Sequence, residues 1–211
     1  MKSRSWLIIG IIVIGIIASS SFLMQNLGNV SVTIDTNGTD TTVHTFYIFG
    51  TPQQMTAEMQ NKVESQITEP NSTVESISND MKAIAKKYNY TATVTIKSQF
   101  GTNQLTMPAT VSGTSMVPTL KDGQQIVVLK TKDYKVDDIV VAIHPDYGLI
   151  VKRLKVIELE KVYLMSDNHQ VEYYTTQKDL GNGLVEVDTY KKTPLNTWLP
   201  RQNIVGVVKI Y

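Results

Sequence analysis

Ser115 and Lys152 are the two residues whose types and surroundings best suit them to a chemical reaction. Ser115 lies in the segment Val-Ser-Gly-Thr-Ser-Met-Val-Pro-Thr-Leu at 111–120, and Lys152 begins a Lys-Arg pair 37 positions later. A serine hydroxyl is a poor nucleophile until a base takes its proton. A lysine can be that base only when it is neutral, so burial must lower its pKa from about 10.4. The two residues therefore predict a serine nucleophile with a lysine general base.

The apolar neighbours of Lys152 predict a strand that buries its side chain. The surrounding run at 148–154 reads Gly-Leu-Ile-Val-Lys-Arg-Leu. Successive side chains of a strand point to opposite faces, so Lys152 shares one face with Ile150, and Arg153 shares the other with Val151. We therefore expect Lys152 to be buried and Arg153 to be solvated or ion-paired.

The short turn that contains Thr114 is expected to stabilise the oxyanion. The backbone amides of Thr114 and Ser115 can point at the negative charge that develops on a substrate carbonyl during acyl transfer. Met116, Pro118 and Ile150 adjoin the two reactive residues in the sequence. We predict that these three side chains contact the substrate.

Both segments resemble those of the Ser/Lys protease clan that contains signal peptidase I and the LexA-type self-cleaving repressors. In those families the serine of Ser-Met-x-Pro-Thr-Leu is the nucleophile and a downstream Lys-Arg on a strand supplies the base, which matches 115–120 and 152–153 here. Asp-Ile-Val-Val at 138–141 resembles a further conserved box of the clan. The resemblance covers about residues 109–211. It implies a mainly β catalytic domain with the coiled β fold of signal peptidase and LexA.

The resemblance is looser downstream of the lysine. Ser166-Asp167-Asn168 is similar to the Gly-Asp-Asn of signal peptidase I, and the segment at 198–206 is similar to its closing segment. The Asp-Ser-Arg that helps to orient the lysine in that family is missing from 169–197. The group that orients Lys152 is therefore undetermined from the sequence, and Ser166 is the candidate.

Two branches of the clan compete for this chain. The form Val-Ser-Gly-x-Ser-Met is closer to the self-cleaving repressors, but those proteins cut themselves at Ala-Gly or Cys-Gly, and the chain contains neither dipeptide. Pro-Thr-Leu at 118–120 and the N-terminal segment described next favour the signal peptidase I branch. That branch implies an endopeptidase that removes signal peptides from exported precursors after small residues. A catalytically impaired, membrane-anchored peptide-binding or surface assembly protein on the same scaffold is the alternative.

The first residues predict a membrane anchor. Lys2 and Arg4 precede an apolar run at 6–24, whose 19 residues are long enough for a helix that spans the roughly 30 Å of a bilayer core. Basic residues on the short N-terminal side of the run favour a cytoplasmic position for residues 1–5, with residues 25–211 on the outer face of the membrane. We therefore expect a single-pass protein of the cell membrane, with the lipid bilayer as a partner.

A cleaved signal peptide is the rival interpretation of the same run. Ala-Ser-Ser at 18–20 supplies small residues after an apolar stretch, as a cleavage site would. Phe-Leu-Met at 22–24 continues the apolar run beyond that point, which favours a retained helix.

The remaining chain is predicted to form two domains. Residues 25–98 read as a small α+β unit in the order strand, strand, helix, helix, strand, with a hairpin turn at Asn37-Gly38 and helix boundaries at Pro52 and Pro70. Residues 99–211 read as a β-rich domain. Its predicted strands are 125–129, 138–143, 148–154, 161–165, 184–187 and 204–210.

Composition excludes several other classes of protein. Lysine plus arginine number 20 and aspartate plus glutamate 19, so the chain lacks the basic excess typical of nucleic-acid binding. There is no cysteine, and His44, His144 and His169 lack the spacing of metal ligands. We therefore expect neither a metal nor a cofactor. His144, the histidine nearest to Ser115 in the sequence, is expected to be a turn residue before Pro145.

Overall fold

The computed structural model describes residues 28–182 and 184–210, which contain thirteen strands and two α-helices. The predicted mainly β fold with two helices is found. The elements are β1 Gly28–Thr36, β2 Thr41–Phe46, α1 Gln53–Ile67, α2 Val74–Lys87, β3 Tyr90–Ser98, β4 Gly101–Thr102, β5 Thr106–Thr110, β6 Gln125–Leu129, β7 Ile139–His144, β8 Gly148–Ile157, β9 Lys161–Met165, β10 Glu172–Gly181, β11 Leu184–Lys192, β12 Thr197–Pro200 and β13 Ile204–Ile210. The predicted anchor at 6–24 lies outside the described residues, and no helix within them is both long and apolar enough to cross a membrane.

Residues 28–102, the N-terminal unit, form a four-stranded sheet with two helices. The strand order is β2-β1-β3-β4, with β1 antiparallel to β2 and parallel to β3. The predicted order of strand, strand, helix, helix, strand is confirmed. Apolar residues repeat every three or four positions in both helices and every second position in β1, so each element buries one face. The resulting core contains Val30, Val32, Ile34, Met55, Met59, Val63, Ile77, Met81, Ile84 and Ile96.

Helix α2 begins with a capping box. The Thr73 side chain accepts from the amide of Ser76, and the Ser76 hydroxyl accepts in turn from the amide of Thr73. This reciprocal pair satisfies two donors that a helix start leaves unpaired. The capping box fixes Thr73 as the last residue of the connection between α1 and α2, and so helps to set the direction of α2.

The second half of the chain forms a seven-stranded sheet in the order β12-β9-β8-β7-β13-β6-β5. The predicted strands at 125–129, 161–165 and 204–210 are found with those bounds. Register shifts in β8 and β13 interrupt the pairing with their neighbours, and such bulges bend and twist a sheet. Strands β10 and β11 pair only with each other among the described strands and form a separate hairpin.

Side-chain contacts join the N-terminal unit to the seven-stranded sheet. The hydroxyls of Thr36 and Thr106 lie 3.3 Å apart, at the far end of β1. Lys130, which follows β6, donates to the carbonyl of Glu69 and, at 2.6 Å, to the hydroxyl of Ser72 in the connection between the helices. Leu105, just before β5, packs into the core of the N-terminal unit. The end of α1 therefore lies beside the seven-stranded sheet.

Candidate active site

The Ser115 hydroxyl and the Lys152 amine meet in a hydrogen bond of 2.5 Å between Oγ and Nζ. Ser115 lies in the loop between β5 and β6, and Lys152 lies in β8, which pairs with β7 and β9. The two residues predicted from the sequence to act together are therefore in direct contact.

Burial gives Lys152 the property that a general base needs. Its side chain is 4% exposed, while Ser115 is half-buried and reaches solvent. Burial lowers the pKa of Lys152 from its ordinary value to about 8, and the negative charge of Asp167 opposes that shift. About a tenth of Lys152 is consequently neutral at pH 7, whereas an ordinary lysine is almost wholly charged.

Asn168 holds the loop that carries Ser115. Its backbone amide donates to the Ser115 carbonyl at 2.9 Å, and its side-chain amide donates to the Thr114 carbonyl at 3.1 Å. The other end of the loop is fixed by Asp122, which accepts from the amide of Gly113 at 2.7 Å. Because both carbonyl groups are tied down, the backbone around the serine has a defined orientation. That the amides of Thr114 and Ser115 bind an oxyanion stays a prediction.

Asp167 connects the serine loop to the strand of the lysine. Its carboxylate accepts two bonds from the Arg153 guanidinium, at 2.5 and 2.7 Å, and one from the Thr119 hydroxyl at 2.6 Å. Arg153 is ion-paired, as expected from the alternation along β8. The hydrogen bond from Arg153 is the main reason that the pKa of Asp167 lies below its ordinary value.

Ser166 hydrogen-bonds to the segment that follows β11. It is fully buried, and its hydroxyl donates to the Leu195 carbonyl at 3.0 Å, while its amide donates to the Asn196 side chain. Within residues 28–182 and 184–210, the hydrogen-bond partner of Lys152 Nζ is Ser115. Ser166 therefore fixes the segment that follows β11, and that it supports Lys152 stays a prediction.

The three residues predicted to contact substrate lie in different environments. Ile150 is half-buried and lines a groove beside Ser115 and Lys152. Pro118 is exposed on the surface of the loop. Met116 is fully buried in the core of the seven-stranded sheet. A side chain without accessible surface packs the core, so Met116 supports the loop from beneath and does not reach a substrate.

Two grooves meet at Ser115. The apolar groove, of about 310 Å³, is lined along one side by β5 and along the other by residues 149–152, and Thr68 at the end of α1 also lines it. The polar groove, which we name for its mostly polar lining residues, has a volume of about 360 Å³ and lies between the serine loop, Tyr147, Asn168 and the segment at 193–195. Strand β5 is the outer strand of its sheet. A peptide chain can therefore lie alongside β5 and pass Ser115 from one groove to the other.

The chain matches the family model described as Peptidase S24-like over residues 75–181. This match spans half of the chain and includes Ser115, Lys152 and Asn168. The chain belongs to the Peptidase S24-like family. No individual curated protein matches it. The family is one of serine peptidases within the clan that holds LexA and signal peptidase, which confirms the predicted clan. The matched region begins inside α2, upstream of the boundary predicted at residue 99.

Several residues of the S24-like site escaped the sequence analysis. Tyr147 and Leu149, at the turn between β7 and β8, line the two grooves, and Asn168 holds the serine loop. The resemblance of 166–168 to Gly-Asp-Asn was the available signal for Asn168. Tyr147 and Leu149 carried no signal, because only the pairing of the strands brings their turn over Ser115.

Replacing Asp167 by asparagine is expected to move the pH dependence of the S24-like site to lower pH. The Asp167 charge favours the protonated form of Lys152, so its loss lowers the pKa of Lys152 further, and cleavage reaches its maximal rate at lower pH. The variant also breaks the largely buried ion pair between Asp167 and Arg153, which should cost about 3 kcal/mol of the free energy of unfolding. A pH profile of kcat/KM and a urea titration measure the two effects.

Asp137→Asn is the matched control for this variant. Asp137 pairs with Lys155 at 2.6 Å near the same end of β8, but this pair is largely exposed. We expect little change in either measurement. A midpoint for Asp167→Asn that stays in place or moves to higher pH would contradict the electrostatic account of Lys152.

Proposed function

We propose that the chain is a membrane-anchored serine endopeptidase that removes signal peptides from exported precursors after small residues. Ser115 is the nucleophile and Lys152 the general base. The observation that carries this proposal is the 2.5 Å contact between the serine hydroxyl and a buried lysine whose pKa is about 8. A protein that only binds peptides has no need for a neutral lysine at that position.

The reaction follows from the protonation states of the two residues. Neutral Lys152 takes the hydroxyl proton of Ser115 as Oγ attacks the scissile carbonyl, and the backbone amides of Thr114 and Ser115 stabilise the oxyanion. When the tetrahedral intermediate collapses, the Lys152 ammonium donates its proton to the departing amine. A water molecule, deprotonated by the same lysine, then hydrolyses the ester on Ser115 and releases the second product.

The two grooves support an extended substrate. A peptide that adds to the outer edge of β5 makes backbone hydrogen bonds with that strand, and every second side chain then points into the apolar groove. Ala109, Ile150 and Val151 line this groove beside Ser115, which suits small apolar side chains before the scissile bond. The polar groove receives the residues after it.

Cleavage of other proteins is favoured over self-cleavage by two features of the sequence. The chain lacks Ala-Gly and Cys-Gly, the dipeptides at which the repressors cut themselves. The apolar run at 6–24 also stands where a repressor has its DNA-binding domain. Both features support the signal peptidase branch of the clan.

The full chain, reconstituted in lipid vesicles, should cleave a purified precursor at the junction between its signal peptide and mature region. Sequencing the new N-terminus of the product identifies the cleaved bond, which we expect to follow a small residue. Binding of the precursor without cleavage would support the peptide-binding alternative. Fragments of the enzyme itself, with an intact precursor, would support the self-cleaving branch.

A further inference from the structure

The end of β2 and the loop that follows it expose three large apolar side chains. Phe46, Ile48 and Phe49 are 73%, 77% and 86% exposed. Tyr47, between them, packs edge-on against Phe49 at 5.7 Å and against Tyr90 at 5.4 Å. Residues 46–49, the apolar loop, are therefore held on the sheet by Tyr47 while their neighbours face outward. Apolar clusters of this kind on a surface mark contact with a partner or a membrane.

The apolar loop lies where the chain enters the N-terminal unit. Gly28, the first residue of β1, pairs with Tyr90, and Ser31 pairs with Phe46. The Tyr47 ring packs so close to Gly28 that a Cβ added there would lie 2.6 Å from the Tyr47 hydroxyl. Gly28 also has φ +122°, a backbone conformation that favours glycine. The start of β1 and the apolar loop are consequently direct neighbours.

The distance in sequence between the predicted anchor and this end of the sheet is short. The apolar run ends at Met24, and β1 begins at Gly28. Four residue steps span at most about 14 Å. A bilayer that holds the run at 6–24 must therefore lie close to the apolar loop. Basic residues also lie at this end, because α2 finishes with Lys86 and Lys87 just before Tyr90, and of these Lys87 is paired with Glu58.

We propose that the apolar loop rests in the headgroup region of the bilayer and that the N-terminal unit sets the height of Ser115 above it. This inference rests on the membrane anchoring of the proposed function. Exposed phenylalanine side chains favour the membrane interface, and a lysine such as Lys86 beside them attracts anionic lipids. The occupant of this surface is the lipid bilayer itself.

The height of Ser115 above the bilayer is set by the elements that run from the apolar loop to the active site. Strand β1 has nine residues and spans about 26 Å from Gly28 to Thr36, which contacts the seven-stranded sheet. Helix α1 has 15 residues and covers about 22 Å in the same direction. Thr68, at its end, lines the apolar groove with Ser115 and Lys152. The scissile bond is therefore held about 20–25 Å from the lipid, or about seven extended residues.

A single labelled cysteine tests the contact with lipid, because the chain has no cysteine of its own. Phe49→Cys carries an environment-sensitive dye in the full chain, reconstituted in vesicles of phosphatidylethanolamine and phosphatidylglycerol. Leu159→Cys is the matched control, since Leu159 is an exposed apolar side chain, 84% accessible, in the turn between β8 and β9. We expect nitroxide-labelled lipids to quench the dye at position 49 several-fold more than at 159, and aqueous iodide to show the reverse order.

The possible outcomes distinguish lipid contact by the apolar loop from membrane anchoring by the run at 6–24. If the protein floats with the vesicles but iodide quenches position 49 as strongly as position 159, the loop proposal is overturned while the anchor stands. A dye at 49 that is shielded from both quenchers lies against protein, such as a second copy of the chain, and this also overturns it. If the protein does not float with the vesicles, both the membrane anchor and the lipid contact of the apolar loop are overturned.

Vesicle-bound substrates that differ in the number of residues between the bilayer and the scissile bond test the height of Ser115 above the bilayer. We expect vesicle-bound substrates to be cleaved fastest when the scissile bond lies about seven residues outside the bilayer, with rates falling several-fold at two residues. Replacing Phe46, Ile48 and Phe49 together by serine should weaken this dependence but leave cleavage of a soluble peptide unchanged, because none of the three contacts the active site. Equal cleavage at all spacer lengths by the unaltered protein would contradict the proposed height.

Discussion

Ser115→Ala and Lys152→Ala are each expected to lower kcat/KM for a precursor or peptide substrate by roughly 10⁴-fold or more. The two side chains form one unit, so loss of either removes the concerted attack and proton transfer. Initial rates on a soluble peptide measure the effect without dependence on the membrane. Thermal unfolding of both variants checks the fold, since an uncharged residue in place of buried Lys152 is not expected to prevent folding.

Lys155→Ala is the matched control for the lysine variant. Lys155 lies three residues further along β8 and pairs with Asp137, away from Ser115. Its replacement should change kcat/KM by less than a few-fold. Lys152→Ala with a normal rate, or Lys155→Ala with an equally large loss, would show that the contact of Lys152 with Ser115 is not the catalytic one.

The rate of cleavage is expected to rise with pH through about 8. Only neutral Lys152 accepts the Ser115 proton, and burial sets its pKa at about 8. At pH 6 the neutral fraction is about one hundredth, so kcat/KM should be about 100-fold below its maximum. The folded state should also become more stable as pH rises from about 8 to 10.5. In that interval the unfolded chain binds a proton that the folded chain lacks.

Two variants distinguish this lysine from a histidine base, which would titrate near pH 6.5. His144 is buried in β7, where its Nδ1 accepts from the Asp146 amide and its ring packs on Tyr147. His144→Ala should keep most of the activity, and Lys152→Arg should lose it, because arginine stays protonated. The opposite result in the pH profiles of kcat/KM would assign the base to His144.

The sequence was most informative where a local pattern decides the structure. The boundaries at Pro52 and Pro70 predicted α1, and the alternation around Lys152 predicted both its burial and the pairing of Arg153. The contact of Ser115 with Lys152 followed from motif order. Whether 25–98 and 99–211 are separate domains stays a prediction.

The rest depends on contacts that are distant in sequence. Strand β5 was missed because Pro108 argues against a strand, although an outer strand tolerates proline. Asn168 reaches Thr114 across 54 positions, which no local pattern encodes. Ser166 was assigned to Lys152 by its place in a motif, but its hydroxyl bonds to Leu195. Met116 adjoins the nucleophile in sequence, yet its side chain points into the core.

The parallel pairing of β1 with β3 also determines how the molecule carries mechanical force. A pull between the residues before Gly28 and the seven-stranded sheet enters at the start of β1 and leaves at the end of β3, near Ser98. Because the two strands are paired over nine residues and run in the same direction, this pull acts along their length in shear. All the hydrogen bonds between them resist it at once and do not open one after another. Such a joint would resist tension if the residues before Gly28 are held in a membrane, as proposed above.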